Sequence, residues 1–260
     1  MTQQPSLSLL GLNDPAPVAI HNTADGSPFL LIGDHAGAAI PASLDNLGLA
    51  SSELDRHIAC DIGVLELGEA LSQRLSADFI HQRYSRLVVD CNRDPRALDA
   101  IPDMSDGSSI PGNRGLTAGQ REVRIAAIHQ PYHEAIAAEL ERRRTLGRAT
   151  IVVALHSFTP MLRTERVDRP WHIGVLYGGG DTRFAMAVLD QLRREPQLVV
   201  GDNEPYRMDG TDHTIPRHAF PAGLPYIELE IRQDLLAEAA GQRHWSEIIA
   251  AAMLAAVGDR

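Results

Sequence analysis

Four short hydrophobic runs along the chain each end in, or enclose, a cluster of reactive side chains. Phe29-Leu30-Leu31-Ile32 leads into Gly33-Asp34-His35, Leu87-Val88-Val89 into Asp90-Cys91-Asn92-Arg93, and Ile151-Val152-Val153-Ala154-Leu155 into His156-Ser157-Phe158. The fourth, Tyr226-Ile227-Glu228-Leu229-Glu230-Ile231-Arg232, carries its polar residues within the run. Near-continuous apolar runs fit strands buried on both faces, as in a parallel sheet. Between the runs the apolar spacing changes to three and four. Ile62, Leu65, Leu67, Ala70, Leu71 and Leu75 predict one helix, and a second opens after Thr117 as N-cap, runs to about Arg144 and stops at Leu146-Gly147. Another begins near Asp181, and two more, over 233–240 and 245–257, close the chain. Further strands are predicted over 79–89, 171–177 and 197–200.

This alternation predicts a single α/β domain over 28–260, with an open, mainly parallel or mixed sheet flanked by helices. Residues 1–27 read as an irregular lead-in with one short strand at Val18–His21. Two polar segments, 96–116 and 202–223, are predicted to be loops over the site. Open sheets of this class bind ligands at the carboxyl ends of their strands, so the four clusters point to one shared site.

Composition narrows the function. With 24 Lys+Arg against 34 Asp+Glu the formal charge is -10, which repels nucleic acid and anionic lipid, and neither is expected as a partner. The apolar runs fall well short of the roughly 20 residues of a membrane helix, and the first residues do not read as a secretion signal, so a cytoplasmic protein is expected. The two cysteines, Cys60 and Cys91, provide no thiol pair for a metal and read as small buried hydrophobes. Oligomeric state is left open.

Metal hydrolases need imidazole or carboxylate ligands, an open coordination position and a carboxylate base. His35 and His156 are the leading imidazole ligands, with Asp61 as the third and His57 as its alternative. Asp61 could instead cap the helix that follows it. The pair His129 and His133 imitates the helical His pair of zinc proteases but lacks the glutamate and has Pro131 between the rings, so both are assigned outside the metal shell. Arg86, Asn92 and Arg93 read either as a carboxylate pocket or as structural partners of Asp90, Asp94 and surface acids. Glu230 shares a strand face with Arg232 and is either an Arg-bridged scaffold or a base, with Glu228 on the same face as competitor. Gly178-Gly179-Gly180 lacks the spacing of a phosphate loop, and Ser157 has no nucleophile-elbow context.

Taken together and in order, His57-Ile58-Ala59-Cys60-Asp61-Ile62-Gly63, the segment from Tyr84 to Arg93, Ile110-Pro111-Gly112-Asn113, Pro131-Tyr132-His133, Leu155-His156-Ser157-Phe158-Thr159-Pro160, Asp202-Asn203-Glu204-Pro205-Tyr206 and Glu230-Ile231-Arg232 resemble the N-formylglutamate amidohydrolase family. The resemblance runs from about Leu31 to Leu236. That family is in turn similar to the zinc metallocarboxypeptidases, with their phosphorylase/hydrolase-like α/β fold. One departure is that His35 is followed by Ala36-Gly37-Ala38, where the carboxypeptidases have His-x-x-Glu.

The resemblance implies a zinc-dependent hydrolase of an N-acyl amino acid, N-formyl-L-glutamate above all, with one Zn2+ per chain on His35, Asp61 and His156. It implies Glu230 as base, Arg86 in catalysis and substrate binding, and Asn92, Arg93, Asn113 and His133 on the substrate side. A deacylase with another acyl or amino-acid preference, a metal-free binding protein reusing the fold, and a Cys91 or Ser157 amidase are the alternatives.

Overall fold

The computed structural model describes residues 8–21 and 26–258, so parts of the lead-in, residues 1–7 and 22–25, lie outside the described residues. The strands are β1 (Val18–His21), β2 (Phe29–Gly33), β3 (Asp78–Gln82), β4 (Met104–Ser105), β5 (Ser108–Ser109), β6 (Ile151–Phe158), β7 (Ile173–Leu176), β8 (Val200–Asp202) and β9 (Tyr226–Arg232). The helices are α1 (Ser51–Leu54), α2 (Val64–Leu75), α3 (Ala118–Arg124), α4 (Gln130–Thr145), α5 (Arg183–Leu192), α6 (Thr214–His218) and α7 (Ala239–Gly258).

Seven strands form one mixed sheet in the order β1-β3-β2-β6-β9-β7-β8. The central four, β3, β2, β6 and β9, are parallel, and β1 and β7 join the sheet antiparallel. Alternation along each strand divides the core in two. Phe29, Leu31, Val153, Leu155, Ile227 and Leu229 pack with α2, α5 and α7, while Leu30, Ile32, Val152, Ala154 and Tyr226 face α4 and the long loops. The second face extends beyond Ile32 to Asp34, beyond Ala154 to His156, and beyond Tyr226 to Glu228 and Glu230. The register sets His156 directly beside Glu230 and Ala154 beside Glu228.

Several local expectations change. Leu87-Val88-Val89 is a buried turn, and β3 ends at Gln82. Its carbonyls find side chains in place of a strand partner: Asn113 Nδ2 donates to the Leu87 carbonyl at 2.8 Å and Arg124 Nη1 to that of Val88 at 3.1 Å. The 96–116 segment is built rather than bare, with the β4–β5 hairpin and two short 3-10 turns. The two closing helices are one, α7, preceded by a 3-10 turn at Gln233–Leu235. Thr117 caps α3 as predicted, in a reciprocal capping box with Gln120. Between α3 and α4 the helix widens into a π turn at Ile125–His129, so Pro131, which has no N–H to give, enters at the start of the regular helix that follows. No helix among the described residues is long and apolar enough to cross a membrane.

Candidate active site

A cavity of about 470 Å³ opens over the carboxyl ends of β2, β6 and β9. His35 lies two residues past the end of β2, His156 lies near the end of β6, and Glu228 and Glu230 come from β9. Asp61 reaches in from the segment before α2, tied to the first strand by its own N–H, which donates to the His35 carbonyl at 2.9 Å. It is not the cap of α2. That position belongs to Gly63, which adopts a left-handed φ of +79°, and a Cβ there would lie 2.4 Å from Leu236 Cβ. The glycine lets the chain turn into the helix while Asp61 faces the cavity.

His35, Asp61 and His156 are buried and present ring nitrogens and a carboxylate oxygen that all lie within 4.8 Å of one another. Asp61 Oδ2 is 3.5 Å from His35 Nδ1 and 2.9 Å from His156 Nδ1. Bonds of ~2.0–2.1 Å to a tetrahedral ion place neighbouring ligand atoms roughly 3.3 Å apart, so the trio has the spacing of a metal centre. The far nitrogen of each ring faces another carboxylate. His35 Nε2 donates to Asp90 Oδ1 at 2.7 Å, and His156 Nε2 lies 3.3 Å from Asp34 Oδ2. Carboxylates behind ligand imidazoles fix the tautomer and raise basicity. His57, the alternative ligand, lines the cavity but faces Asp106 at 3.6 Å.

The charge balance points the same way. Asp34, Asp61, Asp90, Glu228 and Glu230 are all buried around the trio. Burial alone pushes Asp61 up, yet the facing His35 and His156 imidazoles outweigh it and hold the carboxyl below the usual range. Burial also pushes Asp34 up, and bonding to His156 brings it down to about 2. For the two glutamates burial outweighs the pull of His156 and pushes both up to about 8. His35 Nδ1 and Glu230 Oε2 are buried without a hydrogen-bond partner. Two orphaned polar atoms among excess buried carboxylates fit a divalent cation, which would satisfy ligands and offset charge together.

The remaining sequence candidates separate. Arg86 lines the cavity with Nη2 bonded to Asp90 at 2.7 Å and Nη1 3.4 Å from Asp61, the structural partnership weighed above. Arg93 lines it as well, braced by the Asn92 and Thr211 carbonyls and by Asp99. Asn92 Oδ1 accepts from the N–H groups of His213 and Thr214, and its Nδ2 donates to Asp212 at 3.3 Å. Arg232 does not bridge Glu230; it pairs with Asp234 at 2.8 Å. Asp94, offered as an arginine partner, pairs with Arg96.

Asn113 and His133, expected on the substrate side, are not among the residues that line the cavity. Asn113 is buried behind the cavity wall, where it holds the Leu87 and Pro102 carbonyls and accepts from Arg124 at 2.6 Å. His133 donates from Nε2 to the Cys91 carbonyl at 2.9 Å and is spent on the back of the same segment. Neither cysteine resembles a nucleophile: burial pushes Cys60 up to about 11, and Cys91 is buried and pushed up as well. Ser157 Oγ donates to the Ile62 carbonyl at 2.9 Å. The residues that sequence reasoning passed over are Asp34 and Asp212. Asp34 was signalled by its period-2 place after Leu30 and Ile32.

Comparison with known proteins adds the following. The family model described as N-formylglutamate amidohydrolase matches residues 27–237. Among solved structures, the gene product Atu2144 from Agrobacterium tumefaciens is 35% identical with a TM-score of 0.92, over 96% of this chain and 98% of that one. The N-formylglutamate amidohydrolase from Ralstonia eutropha JMP134 shares the fold, with a TM-score of 0.67 at 19% identity over 92% of this chain and 96% of that one. No curated protein sequence matches the chain. With four-fifths of its length matched by the family model and nearly all of it by a solved relative, the chain belongs to the N-formylglutamate amidohydrolase family.

Proposed function

We propose that this chain hydrolyses the N-acyl amide of a small N-acyl amino acid, with N-formyl-L-glutamate as the leading substrate and zinc held by His35, Asp61 and His156. The observation that carries the reading is the convergence of those three buried ligand groups and the orphaned Glu230 oxygen on one cavity, in a chain of this family. A zinc ion bound there supplies Lewis-acid polarisation of the acyl carbonyl. Glu230, beside His156 in the register, takes a proton from the attacking water and delivers it to the departing amine. A carboxylate raised by burial returns that proton readily at neutral pH.

Asp90 and Asp34 hold the two imidazoles in the tautomers that turn Nδ1 towards Asp61. Arg86 brings positive charge beside Asp61 and the developing oxyanion. Arg93, fixed at the cavity wall, receives a substrate carboxylate, and Asn92 Nδ2 joins it. A cavity of about 470 Å³ is within the ordinary range for a small-molecule site. The test is a kcat/KM panel of N-formyl, N-acetyl and N-succinyl amino acids against the purified protein. A preference for N-formyl-L-glutamate supports the substrate assignment, and a larger kcat/KM for another acyl group moves it to a sister deacylase.

A further inference from the structure

Behind the Cys91-Asn92-Arg93 segment, on the side away from the cavity, four histidines meet. His129 ends the π turn, His133 is in α4, His213 precedes α6 and His218 ends it. Their ring centroids are 4.4 Å apart for His129 and His133, 5.1 Å for His133 and His213, 5.4 Å for His129 and His213, and 5.2 Å for His133 and His218. Ring nitrogens of His129, His133 and His213 all lie within 4.8 Å of one another.

The hydrogen bonds fix which nitrogens are available. His129 Nε2 lies 3.1 Å from the Arg93 carbonyl and His133 Nε2 lies 2.9 Å from the Cys91 carbonyl. A carbonyl only accepts, so both rings are protonated at Nε2 and carry their lone pair on Nδ1. This arrangement, Nε2–H to a backbone carbonyl with the lone pair of Nδ1 turned to the cluster, is how ligand imidazoles are commonly oriented. His213 Nε2 is buried without any hydrogen-bond partner. His218 Nε2 donates to His133 Nδ1 at 2.9 Å, a bond that an ion taking both nitrogens would replace once His218 carries its proton on Nδ1.

We infer that His129, His133 and His213, with His218 as fourth ligand, form a second site for a borderline transition-metal dication, zinc or its neighbours, distinct from the His35–Asp61–His156 centre. Neutral imidazoles select zinc, nickel, copper or cobalt over calcium and magnesium, which take oxygen ligands. The π turn is what makes the site: it carries His129 onto the face of His133 despite Pro131. An ion there joins α4 to the 91–93 and 213–218 segments. Arg93 and Asn92 would then be braced from behind, because His129 bonds the Arg93 carbonyl and the His213 N–H bonds Asn92 Oδ1. The role is structural, and its coupling to substrate rests on the proposed function above; the binding claim does not.

The experiment is zinc titration of the whole, chelator-stripped protein by calorimetry, with bound zinc counted by elemental analysis after desalting. Two equivalents are expected for the unaltered chain and one for each of His156→Ala and His213→Ala. The retained equivalent differs between those variants, so a His156→Ala/His213→Ala pair should retain none. His213 is only half-buried, and His129→Gln provides a second route to the same loss. One equivalent in the unaltered chain, lost with His156→Ala and kept with both His213→Ala and His129→Gln, overturns the second site and leaves the first intact. One equivalent lost with His213→Ala and kept with His156→Ala upholds the second site and removes the metal from the proposed catalytic centre.

Discussion

Glu230 and Glu228 are two residues apart on one strand face, both buried and both pushed up to about 8, yet they are not equivalent. Glu230 pairs in register with His156 and keeps an unpartnered Oε2, whereas Glu228 sits two pairs deeper, beside Ala154. Glu230→Gln should therefore keep metal and substrate binding while turnover falls by about 10²–10⁴, the usual cost of removing a general base. Steady-state kinetics with zinc counted on the same sample checks this. A fully active Glu230→Gln beside a dead Glu228→Gln would move the base two pairs down the strand.

A second expectation concerns protons. Without a cation burial pushes the two glutamates up to about 8, and His35 and His156 are raised by their carboxylate neighbours. Loading the ion must expel protons, so uptake acidifies an unbuffered solution and affinity falls as pH falls. A pH-stat trace during zinc addition reads this directly, and proton-neutral uptake would contradict it. His35 and His156 were legible as residues because each closes an apolar run. Asp34 and Asp90 were not read as their partners, since a carboxylate next to a ligand looks the same in sequence as a surface acid.

At the scale of elements, the buried strands were legible because continuous apolar runs leave few alternatives. Leu87-Val88-Val89 misled for the same reason: three buried residues satisfy a turn as well as a strand when Asn113 and Arg124 take the carbonyls. The π turn was hidden too, since the cost of Pro131 was reckoned against a regular helix.

What anchors α4 to the sheet is Arg143, which is 1% exposed and bonded to Asp78 and Glu139 at 2.7 Å and to the Ser27 and Phe29 carbonyls at 3.1 Å. Truncating one member of such a buried network leaves its partners uncompensated. Arg143→Ala should lower unfolding free energy by about 3–5 kcal/mol in a denaturant titration. A loss under 1 kcal/mol would show that the network carries little. Gly63→Ala should cost both fold and site, because its Cβ meets buried Leu236 and the left-handed turn that it occupies sets where Asp61 points. Its melting temperature and its zinc affinity should fall together.

For the molecule as a whole, the formal charge of -10 coexists with a cavity wall that carries Arg86 and Arg93. A local arginine pair can attract a carboxylate substrate against that background, most strongly at low ionic strength. Acid stability has its own reporter in His81, 4% exposed against Phe79, whose burial pushes it down to about 4. The folded state then refuses a proton that the unfolded chain accepts below about 6.5, so stability is full above that pH and declines as pH falls towards 4. Melting curves between pH 7 and 4.5 should show the decline, and His81→Gln should flatten part of it.

The central claim, metal-assisted hydrolysis of an N-acyl amino acid, is tested most directly by following formate release from N-formyl-L-glutamate before chelation, after chelation and after zinc is restored. The account predicts activity that disappears with the metal, returns with it, and is absent from His156→Ala. Full activity in the stripped protein, or in His156→Ala, would contradict it.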